Sequence, residues 1–127
     1  MPVTPDAILD NMLDEIVALC TRFDVCGTLP TTYTEATSTY SLGNVTVTAG
    51  AGGGDFGTYA DGVGSGRRTT TVAQNGVSVG TTGTANYIAL TDGTSTLLHV
   101  ADADGQSVSS GGTMNIGAFD IQINDPT

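Results

Sequence analysis

Beyond residue 20 the hydrophobic period of this chain is twofold, in runs of a few residues punctuated by glycine-bearing pairs. Such runs predict strands at Arg22–Cys26, Tyr40–Thr48, Arg67–Ala73, Val77–Val79, Ala85–Thr91, Thr96–Ala101 and Thr113–Ile123. Asn75-Gly76, Asp92-Gly93, Asp104-Gly105 and Gly111-Gly112 read as the turns between them. Asp92-Gly93, set between Tyr87-Ile88-Ala89-Leu90 and Leu97-Leu98, is a hairpin candidate. In the last run Met114, Ile116 and Ala118 share one parity, and Phe119, Ile121 and Ile123 the other. A bulge or bend near Gly117 lets both sets face the core. The fold class predicted is mainly β: an antiparallel β-sandwich or small barrel.

One segment breaks the pattern. Residues 4–20 predict an amphipathic N-terminal helix, with Thr4 as N-cap, Pro5 at the first helical position and Asp6 in the first turn. Leu9, Met12, Leu13, Ile16, Val17 and Cys20 recur at helical spacing as one apolar stripe. The stripe packs on the body of its own domain or docks on another subunit. Residues 29–39, rich in Pro and Thr, read as a connection. Residues 49–66 are glycine-rich, with little to bury, and read as a long exposed loop or arm. At 127 residues the whole chain, 1–127, makes a single domain able to bury a core without metals or disulfides.

Net charge is −10, and the only basic residues are Arg22, Arg67 and Arg68. So few cations cannot neutralise many phosphates, which argues against nucleic acid as a partner. An anionic membrane repels such a chain, and no apolar run reaches spanning length. Charged residues are only 13%, so the polar surface rests on Thr, Ser, Asn and Gly, and Thr suits a solvated strand face. The start, Met1-Pro2-Val3-Thr4, lacks a basic region and a hydrophobic signal core. The expectation is synthesis in a reducing cytoplasm with free thiols.

Residues able to do chemistry are few. Gly52-Gly53-Gly54-Asp55-Phe56-Gly57 matches G-x-G-x-x-G, but no helical pattern follows, so it reads as a loop rather than a phosphate site. Asp102-Ala103-Asp104-Gly105 resembles the start of a calcium loop without its later ligands. Asp102 and Asp104 are at most a weak surface metal site. His99 is the only histidine and has no partnered nucleophile in the pattern. Cys20 and Cys26 match neither a redox nor a zinc spacing, and Cys20 belongs to the helix stripe. A short-loop disulfide between them stays open. Arg67-Arg68, following the glycine-rich stretch, are candidates to pair with a neighbouring subunit or in a local ion pair. The reading is of a protein that is not an enzyme and uses no cofactor.

Several stretches together carry a resemblance. The helix leads through a short strand to Leu29-Pro30-Thr31-Thr32-Tyr33-Thr34-Glu35-Ala36 and Tyr40-Ser41-Leu42-Gly43. Ser65-Gly66-Arg67-Arg68 opens the second half, followed by Gly83-Thr84-Ala85-Asn86-Tyr87-Ile88-Ala89-Leu90-Thr91-Asp92 and Leu97-Leu98. Val108-Ser109-Ser110-Gly111 and Ile121-Gln122-Ile123-Asn124-Asp125-Pro126 complete it. In this order the chain resembles small virion-associated proteins of tailed bacteriophages, described as head-decoration or tail-fibre-like. The resemblance implies a β-rich body with no catalytic residues.

The function it implies is that of a virion structural protein. A capsid decoration or cement protein that stabilises the head by non-covalent contacts is the leading expectation. A tail, connector or fibre component is the alternative. A receptor- or glycan-binding module, suggested by Asp102, Asp104 and Tyr33, Tyr40, Tyr59 or Tyr87, is a third. The expected partners are the major capsid protein or other virion proteins, with the chain a homo-oligomer, a trimer or a ring. The interaction candidates are Leu9, Met12, Leu13, Ile16, Val17, Arg67 and Arg68.

Overall fold

The computed structural model describes residues 4–125. Helix α1 (Asp6–Val17) leads into β1 (Arg22–Cys26) and β2 (Ser41–Thr46). Then come β3 (Ala60–Asp61), β4 (Arg67–Thr70), β5 (Gln74–Ser78), β6 (Gly83–Thr91), β7 (Leu97–Val108), β8 (Thr113–Ile116) and β9 (Asp120–Ile123). The fold is mainly β and antiparallel, and it is sandwich-like. A four-stranded sheet in the order β2-β1-β6-β7 forms one layer, and a three-stranded sheet (β3-β4-β9) and a two-stranded one (β5-β8) face it.

Alternation along β1 explains both faces of the large sheet. Phe23 and Val25 point into the main core with Val77, Ile88, Leu90, Met114, Ile116 and Ile121. Asp24 and Cys26 point the other way, yet both are fully buried. The connection after β1 folds back over that face and contains a π-helical turn, Glu35–Thr39, where the sequence predicts only a connection. Cys26, Ala36 and Ala89 make a second small cluster there, bordered by Tyr40, Tyr87 and Leu97.

The glycine-rich stretch differs from the expected arm. Residues 51–54 are exposed, but Phe56 is only 1% exposed and meets Phe23 edge-on, with ring centroids 5.9 Å apart. Asp55 ties the stretch down: its carboxylate accepts the Thr48 amide at 2.6 Å and the Gln74 side-chain amide at 2.8 Å. One large aromatic outweighs the surrounding glycines, because burying it gains about 2–3 kcal/mol.

Two of the four expected turns are not turns. Asn75-Gly76 lies inside β5 and Asp104-Gly105 inside β7, each at a register shift. Gly105, at φ +77°, takes the left-handed conformation that lets extra residues on β7 oppose Asn86 on β6. The strand expected at 96–101 therefore runs on to Val108. The other two hold: Asp92-Gly93 joins β6 to β7, and Gly111-Gly112 joins β7 to β8. The last run is broken at residues 117–119, between β8 and β9, which leaves Ala118 exposed rather than in the core.

The helix is shorter than the 4–20 predicted. Pro5, with ψ at 143°, occupies the N-cap position, and among the described residues no side chain caps the helix. Thr4 instead donates its amide to Asp125 Oδ1 at 3.1 Å, linking the two ends of the described chain.

Candidate functional site

The helix is fastened to the body on one side and open on another. Leu9, Leu13 and Val17 recur every four residues and are buried, and Ile16 is half-buried against the same core. Packing against β4 and β9 brings the acidic residues of α1 to Arg67. Arg67 donates to Asp10 through Nε at 2.9 Å and Nη2 at 3.3 Å, and to Asp61 at 2.9 Å. The Asp10 hydrogen bonds, then Asp61, hold its guanidinium above its ordinary pKa. Tyr59 donates its hydroxyl to Asp14, and burial together with that carboxylate raises the phenol's pKa. Arg68 pairs with Asp120 at 2.9 Å.

Most of the predicted interaction residues therefore act within this chain. Leu9, Leu13 and Val17 are core residues, and both arginines are neutralised by acids of the same chain. Met12 is different: it is 47% exposed, and Ile8, one turn earlier, is 50% exposed. These two apolar side chains share a face adjoining the buried stripe. Leu19, just past the helix, is also exposed at 49%. Ile8 and Leu19 lie outside the predicted set, although Ile8 falls four residues before Met12 and Leu19 three after Ile16, at helical spacing from the stripe. Their signal was that a helix of this size needs only one apolar stripe, and this one carries more.

The chemistry-bearing residues are dispersed. Asp102 is exposed on β7, and the Asp104 side chain lies outside the described residues. Among the described residues no group of His, Cys, Asp and Glu is arranged to hold a metal ion. His99 is partly buried on β7, and burial lowers its pKa. Cys20 and Cys26 are free and buried, with thiols pushed up to about 12, first by desolvation. The glycine motif at 52–57 leads into strands, and its Phe56 belongs to the core. Tyr33, Tyr40, Tyr59 and Tyr87 are each partly buried rather than displayed. A hollow of about 430 Å³ between β2 and residues 78–81 is lined by hydroxyls and backbone such as Ser38, Ser41, Ser78 and Thr81. Among the described residues no titratable group lines it.

One buried polar cluster went unpredicted. Arg22 donates to Asp24 through Nε at 2.6 Å and Nη2 at 3.0 Å, and Ser41 donates to the same carboxylate at 2.7 Å. Arg22 also reaches the Thr37 carbonyl at 3.5 Å. Its signal was present, since residues two apart on a strand share a face. What the cluster does is hold the folded-back connection on the sheet.

The feature that stands out among the described residues is a surface: an antiparallel β domain that displays apolar residues on a helix anchored by its buried side. Comparison with protein-family models, with curated proteins and with solved structures finds no match for this chain.

Proposed function

We propose that this chain is a structural protein of a tailed-bacteriophage virion, a capsid decoration or cement protein that stabilises the head by non-covalent contacts. The observation that carries the reading is the exposed pair Ile8 and Met12 on a helix face adjoining the buried row of Leu9, Leu13 and Val17. The sequence landmarks support it independently. Covering the exposed halves of these two side chains contributes about 1 kcal/mol each. That is too little for a lasting one-to-one complex, and it suits a protein that binds in many copies to a repeating lattice, where weak contacts add through multivalency. A trimer at a symmetric position on the head is the arrangement this favours.

The test is a count of copies per major capsid protein in purified virions, by quantitative mass spectrometry. A ratio near parity, or a simple fraction of it, is expected. A ratio far below that overturns the decoration reading and favours a tail, connector or fibre component. Failure of the purified protein to bind expanded capsids that lack it also overturns decoration.

A further inference from the structure

We propose that the open edge of β7 receives an extended, cationic segment of a partner polypeptide as a fifth strand of the large sheet. The two edges of that sheet are unlike. At the β2 edge Gly43 bridges to Val79, and Leu42 accepts the amides of Gly80 at 2.8 Å and Thr81 at 3.1 Å. A Cβ at Gly43 would collide with the Ser78 carbonyl oxygen, so this close approach requires glycine. That edge is covered at Leu42 and Gly43.

At the other edge β7 pairs with β6 alone, and among the described residues no backbone hydrogen bond reaches it from any other element. Between its two register shifts, His99–Asp102 pairs regularly with Leu90–Tyr87. This stretch presents unpaired backbone donors and acceptors in strand geometry, the template for strand addition.

Charge decides the kind of partner. The chain has no lysine, and each arginine is already paired internally: Arg22 with Asp24, Arg67 with Asp10 and Asp61, and Arg68 with Asp120. Net charge is −10, and Asp102 stands exposed on the edge itself. A second copy therefore brings like charge to like charge, which disfavours edge-to-edge self-pairing. A basic strand meets opposite charge while its backbone completes the ladder. The inference is independent of the virion reading, because it concerns the free domain and its edge.

The test uses the full chain and short synthetic peptides. One peptide alternates Lys and Val, a second has the same sequence with alternate backbone amides N-methylated, and a third alternates Glu and Val. Binding is followed by fluorescence anisotropy and by amide chemical shifts. The Lys-Val peptide is expected to bind about tenfold or more tightly than its N-methylated form, which keeps the charge and loses the ladder. Shifts are expected at residues 97–103, and Asp102→Lys, at an exposed position, is expected to weaken binding several-fold. Equal binding of the N-methylated peptide, no binding of the Lys-Val peptide, or shifts centred on α1 overturns the proposal. Binding of the Glu-Val peptide as tightly as the Lys-Val peptide overturns the cationic partner.

Discussion

Arg22 and Asp24 stand two residues apart on β1 and grip each other through two hydrogen bonds, of 2.6 and 3.0 Å, on the sheet face away from the main core. The Asp24 carboxylate is fully buried, whereas the Arg22 side chain keeps 28% of its surface exposed. Asp24→Ala leaves Arg22 and Ser41 without their acceptor. The expected loss is about 3 kcal/mol, the lower end for a broken buried pair, because Arg22 can partly rehydrate. The double variant Arg22→Met with Asp24→Leu is expected to lose less than the sum of the single changes. Urea denaturation of the three variants measures this.

Phe56 tests whether residues 49–66 are part of the body. Phe56→Ala removes a ring buried against Phe23 and is expected to cost about 3–5 kcal/mol. Val63→Ala, in the same stretch but at a side chain 75% exposed, is expected to change stability by no more than about 0.5 kcal/mol. Equal small effects at both positions in chemical denaturation would return the whole stretch to a loose arm.

The β6–β7 connection carries an acid-sensitive element. Asp92 Oδ1 accepts the amides of Thr94, Ser95 and Thr96 at 2.8–3.0 Å. These bonds lower its carboxyl from 3.8 to about 2. A lowered folded-state pKa means stability that is present above 3.8 and is lost as pH falls through about 2. Asp92→Asn is expected to flatten that part of the stability curve. Comparing denaturation midpoints of the two proteins across this pH window checks it.

The thiols should be silent in the native state. Cys20 belongs to the main core, whereas Cys26 lies on the opposite face of the large sheet. With both pushed up to about 12, almost no thiolate is present at neutral pH. Native protein is expected to react with a disulfide reagent only as fast as it opens, and both thiols react at once in denaturant. Rapid labelling of the native protein would contradict the burial.

Much of the architecture was readable from local pattern. The alternation of Phe23 and Val25 against Asp24 and Cys26 marks β1, and Asp92-Gly93 marks the hairpin, because period and turn chemistry act over a few residues. The break at residues 117–119 follows from the change of parity there. Of the candidate surface, the helix face was legible through its apolar excess, but which residues of it stay exposed was not.

What the sequence determined by itself was a mainly β chain with one amphipathic helix and a net charge of −10. What tertiary structure decided was the use of individual residues. Phe56 leaves a glycine-rich stretch for the core because Phe23 offers a partner 33 positions away in the chain. Gly105 makes a bulge rather than a turn because β6 continues alongside it. Arg67 closes on Asp10 of its own helix because β4 passes beneath α1. One edge of the large sheet is bridged at Gly43 because residues 78–81 return to β2, whereas β7 takes no backbone hydrogen bond from any described element other than β6. Each of these depends on contacts between distant segments, and local periodicity records only neighbours.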